Sequence, residues 1–470
     1  MPGRTDVRVL VCLGAVAASA MLAGCQVGPT VEAERDPAPD GPPPVEVEFH
    51  PLVVPRDAER TLPRWFGLYY GILAHSNGKV YVGTNYHVAR LVEFDPRTGK
   101  VRVAAVMSSR ALQGGGPKLE NPTLRGDLAT GRYPMDRWAY AQHKIHAQLH
   151  EGRDGRVYGA THTHVEDANR TQKYPGGHWF AYDPKTDETE DLGWVRRHEG
   201  IITCCMDRRR NVLYGISWPT GYLFACKPGE NLYYKRLRIL GLASSYLDCS
   251  ARYVECVKDG RVYVPDGATG RIRVFDPVTG RLRQVRGLRT PVSPEAEAAA
   301  RGATRLRPTR HWRNWWISGT RSPDGMHIFL TSQRGNRLVE IDATRGEWGV
   351  AIDHGPLKKT AKERWGGHWS DLMVFGPDGL LYHTVDRHLL SFDPESGRVL
   401  DWGPLVLKSK PTVRLGVGAG SLGRDGKIYC TTRRGRRKGI GVIDLAALEG
   451  RTPRLVRVSP RREIRPVGGE

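Results

Sequence analysis

The chain has 470 residues, of which 39% are hydrophobic, so it is neither a multi-span membrane protein nor a low-complexity disordered one. Lys and Arg total 71 against 50 Asp and Glu, a formal net charge of +21 that favours anionic partners. With 55 Gly and 32 Pro the chain is rich in turns, which excludes a coiled coil and disfavours a long helical bundle.

The first element is an address. Arg4 and Arg8 precede a run from Val9 to Leu22 that is nearly all apolar or small, too short to cross a bilayer comfortably. It ends in Leu22-Ala23-Gly24-Cys25, which resembles the bacterial lipobox. The resemblance implies a signal peptide over 1–24 and lipidation of Cys25. Gln26 follows, which by analogy with Gram-negative lipoprotein sorting points to the cell envelope, on the outer membrane or a periplasmic face. Residues 25–44, with Pro29, Pro37, Pro39, Pro42, Pro43 and Pro44, read as a flexible tether.

From 45 to 470 an internal repeat dominates. Its form is Asp/Asn-Gly, a polar residue, an apolar residue and an aromatic, later followed by Asp-Pro-x-Thr-Gly. The copies begin at Asn77-Gly78, Asp154-Gly155, a degenerate Arg210-Asn211, Asp259-Gly260, Asp324-Gly325, Asp378-Gly379 and Asp425-Gly426. The second turn is fullest at Asp95-Pro96-Arg97-Thr98-Gly99 and Asp276-Pro277-Val278-Thr279-Gly280. Gly tolerates positive φ and Pro fixes φ, so each copy predicts two tight turns joining period-two strands. Four strands per copy and seven copies predict an all-β, seven-bladed β-propeller of four-stranded antiparallel blades. Insertions near 107–137 and 284–310 interrupt the rhythm, the second with a short helix over 294–300.

Beyond Cys12 and Cys25, six cysteines remain: Cys204, Cys205, Cys226, Cys249, Cys256 and Cys430. An exported chain admits disulfides among them; buried thiols and a metal site are the alternatives, and no CxxC pair supports the metal.

In a propeller the start of each first strand and the end of each second strand meet at one end, a natural place for a ligand. These positions carry His87 in the first copy, and Lys144, His146, His162, His164 and His178 in the second. The third offers Trp218 and Tyr222, and the fourth Arg252. The fifth offers Arg313, Trp315 and Arg334, and the sixth His368 and Arg387. Such a ring of imidazoles, guanidiniums and aromatics suits an anion with flat faces, such as an acidic sugar. His162-x-His164 has strand spacing and could chelate a divalent metal ion of unknown identity.

The run Ile145-His146, Asp154-Gly155-Arg156-Val157-Tyr158-Gly159-Ala160-Thr161-His162 and Gly176-Gly177-His178-Trp179 resembles bacterial propellers related to ulvan lyases. The stretch Leu213 to Phe224 does the same, and the likeness extends more distantly to oligogalacturonide lyases. The resemblance implies β-elimination at a uronate residue of an acidic polysaccharide, in a family that often carries a bound metal. On that reading His146 and His162 are the acid/base pair and Tyr222 a second acid. Arg252 clamps the carboxylate, and Trp218 stacks on sugar, with His87, His178, Arg313, Trp315, Arg334, His368 and Arg387 holding substrate. The alternatives are a non-catalytic propeller binding glycans or proteins at the cell surface, and a streptogramin-lyase-like enzyme on a small molecule. A monomer is expected, with the membrane reached through Cys25 and no nucleic-acid partner.

Overall fold

The computed structural model describes residues 41–53, 67–85, 89–107, 142, 144–162, 176–194, 199–218, 221–228, 235–237, 253–265, 271–289, 316–332, 337–357, 372–434, 437–459 and 461–463. Among these the chain is all β, with one 3-10 turn at Ala446–Leu448 and no α-helix. The signal segment, the tether up to residue 40 and the expected helix over 294–300 lie outside the described residues, as does most of the insertion near 107–137. The insertion near 284–310 starts inside a strand, Arg281–Arg289.

Five four-strand antiparallel meanders follow in chain order. The first is Gly67–Ala74, Val80–Asn85, Arg90–Asp95 and Lys100–Val106. The second is His150–Glu151, Val157–Ala160, His178–Asp183 and Glu188–Trp194. The third is Gly200–Asp207, Val212–Trp218, Leu223–Cys226 and Lys235–Leu237. The fourth is Glu255–Cys256, Val262–Pro265, Arg271–Asp276 and Arg281–Arg289. The fifth is Trp316–Arg321, His327–Ser332, Arg337–Asp342 and Val350–Pro356. Arg462–Glu463 adds a fifth strand to the fifth meander, and a ten-stranded sheet holds the remaining strands. It joins Met373–Phe375, Leu381–Val385, His388–Phe392 and Arg398–Leu407 to Val417–Leu422, Lys427–Arg434 and Arg437–Asp444.

The last repeat copy lacks a fourth strand of its own. Val45–Pro51 supplies it, pairing antiparallel with Arg437–Asp444 from Val47↔Ile443 to Pro51↔Gly439. The strand also pairs in parallel with Arg398–Leu407, which ties the two halves of the large sheet together. Strands from the two ends of the chain therefore share one sheet.

The repeat motif has a physical cause at each position. Gly78, Gly155, Gly260, Gly325, Gly379 and Gly426 all sit at φ between 76° and 96°, and Asn211 replaces glycine at φ 55°. The Asp before the glycine accepts a backbone N–H two residues on, as Asp154 Oδ1 does from Arg156 at 3.1 Å. Its second oxygen accepts the hydroxyl of the repeat aromatic: Tyr158 to Asp154 at 2.7 Å, Tyr382 to Asp378 at 2.8 Å, Tyr429 to Asp425 at 2.7 Å. The ring itself fills the seam with a neighbouring meander. Tyr81, Tyr158, Tyr214, Tyr263, Phe329, Tyr382 and Tyr429 each occupy a different hydrophobic cluster. The core thus lies between sheets. Leu68, Ile72 and Val80 of the first meander pack with Tyr429, Ile440 and Val442 of the last sheet.

The Arg-rich tail is built into the structure. Arg454–Val458 pairs with the first half of Arg398–Leu407, from Arg398↔Val458 to Asp401↔Arg454, and Arg462–Glu463 with Val350–Pro356. Arg454 reaches the fully buried Asp401 at 3.1 Å, and Arg457 bonds the backbone oxygen of His354. The tail covers sheet edges that would otherwise stand open.

Candidate functional site

Each meander has two ends. At the Asp-Gly end, neighbours are stitched by His75 Nε2 to Gly155 O at 2.9 Å and Lys258 N to Gly325 O at 2.8 Å. At the other end the first strand begins and the second stops, as registers Gly67↔Asn85 and Gly200↔Trp218 show. Residues 144 and 162 meet there in the second meander, where Lys144 bridges both Asn85 and His162. Ile201 N donates to Thr161 O at 3.0 Å, and Gly177 N to Glu199 O at 2.7 Å, so the second and third meanders join at the same end.

This junction brings His146 and His162 together. Both are 3% exposed, and their ring centroids lie 5.6 Å apart at 68°. His146 Nδ1 donates to Ile202 O at 2.8 Å, which puts a proton on Nδ1. His162 packs against bare backbone: a Cβ added to Gly200 would fall 2.1 Å from His162 Nδ1. Around the pair lie Gln142, Lys144, Thr161, Glu199 and Ser217, all buried. Thr161 Oγ1 donates to Gln142 Oε1 at 2.6 Å, and Ser217 Oγ to Glu199 Oε2 at 2.6 Å. In the sequence Lys144 stands out only as a neighbour of His146, and Glu199 not at all; a charged residue in a strand-start position was the available signal.

A second device repeats here. The hydroxyl that ends the second strand accepts the backbone N–H that starts the third. Thr84 takes Arg90 N at 2.9 Å, Thr161 takes His178 N at 2.8 Å and Ser217 takes Tyr222 N at 3.1 Å. The next residue differs in each: Asn85, His162 and Trp218.

The other predicted residues separate. His178 Nδ1 lies 3.0 Å from both oxygens of Asp191, and Asp191 also accepts Gly193 N. His388, Asp401 and Gly403 repeat the arrangement at the matching positions of the last sheet, so His178 has a bracing role independent of any ligand. Tyr222 is 7% exposed and its ring lies in the apolar cluster with Trp179 and Phe224. Trp218 ends a strand beside Gly200. Arg387 occupies a two-residue turn closed by Val385↔His388, with φ 51° at Asp386 and 60° at Arg387. His87, His164, Arg252, Arg313, Trp315, Arg334, His368, Cys25 and Cys249 lie outside the described residues.

The metal expectation is reached through His162 alone. Among the described residues, the metal-ligating cluster is instead His327, Glu340 and Asp342, at the Asp-Gly end of the fifth meander. Its groups already satisfy one another. Glu340 accepts from His327 Nδ1 at 2.8 Å and from His354 Nε2 at 2.7 Å. Although burial opposes ionisation, these imidazole hydrogen bonds hold the Glu340 carboxyl down to about 2. The described cysteines, Cys204, Cys205, Cys226, Cys256 and Cys430, are buried thiols. Burial raises Cys226 and Cys430 to about 12, which makes both inert at neutral pH.

No family model matches the chain, and no curated protein matches it. Among solved structures it is similar to a streptogramin B lyase at 12% identity and TM-score 0.50, over 84% of this chain and 96% of that one. It is also similar to virginiamycin B lyase from Staphylococcus aureus at 11% identity and TM-score 0.51, over 85% of this chain and 99% of that one. A catalytically inactive variant of that enzyme with quinupristin gives 11% identity and TM-score 0.50, over 85% and 100%. The shared feature is the propeller fold. These neighbours are lyases of a different family from the ulvan and oligogalacturonide lyases that the sequence resembles.

Proposed function

We propose that the chain is a lipid-anchored, seven-bladed propeller of the cell envelope that cleaves an anionic substrate by β-elimination, with a uronate polymer as substrate class. The observation that carries the reading is the His146–His162 pair, two buried imidazoles edge to face with centroids 5.6 Å apart where the first three meanders meet. The seven repeat copies and the packing of the last sheet on the first support the count of seven blades. Cys25 is the membrane anchor, and residues up to 44 are the tether.

Elimination needs a base for the proton beside the carboxylate, an acid for the departing oxygen, and a cation that stabilises the carboxylate as it becomes enolate-like. His146 fits the base, because the bond from Nδ1 to Ile202 O orients the ring and makes Nε2 the basic nitrogen of its neutral form. His162 fits the acid, with Tyr222 as the second donor. Lys144, paired in backbone register with His162, joins Arg252 as a cation for the carboxylate. Trp218 supplies a stacking face, and Arg387 a guanidinium at its own turn. No step runs through a metal; were a divalent cation held by His162 and His164, it would orient the substrate carboxylate and the acid role would pass to Tyr222. The lyase fold of the structural neighbours supports an elimination chemistry, and quinupristin, bound to one of them, defines the competing substrate class.

The test is direct. The chain is incubated with a panel of uronate polymers and with quinupristin, and unsaturated product is followed near 235 nm (about that wavelength for an eliminated uronate) and by mass. Product that vanishes in His146→Ala supports the reading. Binding of a polymer with no product from any substrate assigns the chain to the glycan-binding class instead.

A further inference from the structure

The six cysteines of the folded part are more than the candidate site absorbs. Cys205 and Cys256 are both completely buried and lie on the first strands of consecutive meanders, the third and the fourth. Their Sγ atoms are 2.6 Å apart, although the residues are 51 positions apart in the chain. Unbonded heavy atoms settle at about 3.5–4.0 Å. The two sulfurs stand well inside that separation, within a buried cluster that also holds Ile202, Tyr214, Val254 and Val262. The other described cysteines have different partners. Cys204 Sγ donates to Gln148 O at 3.3 Å, and Cys430 Sγ to Gly441 O at 3.3 Å.

We propose that Cys205 and Cys256 form a disulfide that staples the third meander to the fourth. The oxidant is an external disulfide. One thiol loses its proton and its thiolate displaces a sulfur of the external disulfide. The second thiolate then displaces the mixed disulfide. Two electrons and two protons pass outward, and the external disulfide leaves as two thiols. Burial raises both thiols above their usual range in the folded chain, Cys205 the more strongly, so the bond forms during folding and resists exchange afterwards.

The staple has a consequence for the site. Cys205 belongs to the strand Gly200–Asp207. The backbone of that strand accepts His146 Nδ1 at Ile202 O, and Cys204 O lies 2.9 Å from His150 Nε2. Fixing the strand to the first strand of the next meander fixes the acceptor that orients His146. The oxidant in the cell comes from the export proposed above; the pairing itself comes from the packing.

Two preparations separate these claims. The full chain, reduced and unfolded, is refolded in a mixture of reduced and oxidised glutathione, then alkylated and mapped without reduction. The expected result is one linked peptide pair, Cys205 with Cys256, with the other thiols alkylated. No link, or a link through Cys204, Cys226 or Cys430, overturns the proposal. In Cys205→Ala the expected outcome is an alkylated Cys256, and pairing of Cys256 with Cys204 overturns the geometry. Mapping the chain made in an exporting bacterial host gives the second reading. A link in the refolded chain but not in the cell-made chain upholds the pair and refutes the export. As a further check, thermal unfolding of the linked protein shifts downward on reduction, as expected for opening a loop of about fifty residues.

Discussion

Gly200→Ala tests the candidate site without touching its chemistry. Gly200 starts the first strand of the third meander, opposite Trp218, and its φ is not in the left-handed region, so alanine meets no backbone strain. The added Cβ would lie 2.1 Å from His162 Nδ1 and 3.0 Å from both Cα and Cγ of the same residue. Relaxed separations stand at about 3.5 Å, so the imidazole must retreat by more than an ångström. The close Cα means that rotating the ring is not enough; the strand end must also give. Overpacking of this kind costs about 1–3 kcal/mol, and about 1 Å of misplacement costs a reaction on the order of 10²-fold. In a His162→Ala background the ring is gone and only the crowding against the backbone of residue 162 remains, so the same substitution should cost less than about 1 kcal/mol. The difference is a coupling of about 1–2 kcal/mol between positions 162 and 200. Denaturant unfolding of the four proteins measures it, and product formation near 235 nm (about that wavelength) measures the rate. Equal destabilisation in both backgrounds, or an unchanged rate with a displaced His162, would overturn this account of the junction.

Acid sensitivity should centre on His383, which burial pushes down to about 4 while the unfolded residue titrates near 6.5. The folded form takes the proton later than the unfolded one, so stability is lost as pH falls from about 6.5 to about 4, by about 3 kcal/mol. Urea midpoints for the native chain and for His383→Asn at pH 7 and pH 4.5 should converge at the lower pH, and parallel losses would count against it. Arg387→Gly should raise stability by about 0.5–1 kcal/mol, because the Asp386-Arg387 turn needs positive φ twice. If the guanidinium also holds substrate, KM rises several-fold in the same variant, and a fall in stability would remove the turn argument. Tyr158→Phe should cost about 1 kcal/mol through the lost bond to Asp154. Tyr263→Phe should cost less, since its hydroxyl meets only a backbone oxygen at 3.2 Å while Arg261 serves Asp259.

What was legible in the sequence was local. The Asp-Gly turn declares itself because an aspartate, the glycine after it and the tyrosine that ends the motif make a closed set of bonds within a single hairpin. What stayed hidden was distant. The fourth strand of the last copy is Val45–Pro51, separated from Arg437–Asp444 by almost the whole chain, and no spacing rule reaches that far. The seat of the Arg-rich tail was hidden in the same way, because its charge is visible in the sequence and the open strand edges that receive it are not. His178 read as a ligand because it stands beside His162 in the site-forming stretch. The counter-signal was present in Asp191-x-Gly193, repeated as Asp401-x-Gly403 at the same distance from His388. The His146–His162 pairing was legible for a reason of topology. A residue that starts a first strand and one that ends a second strand must share an end of the meander, and both imidazoles stand at such positions.

That distinction between repeated and unrepeated residues also supports the proposed site. A side chain that recurs at the same position in several meanders is explained by what every meander needs: a turn, a seam filler, a hydroxyl closing the second loop. Thr84, Thr161 and Ser217 belong to that class, and so do the repeat tyrosines. Asn85, His162 and Trp218 follow those hydroxyls directly and differ from one another, so no shared structural demand selects them. His146 has the same character, since its ring is held by Ile202 of the next meander through a bond that the other meanders do not repeat among the described residues. The frame holds these positions to one end by bonds it makes everywhere, and it leaves the choice of side chain there to the chemistry. Two imidazoles, a buried lysine and a buried glutamate gathered at one junction are costly to a fold that needs none of them.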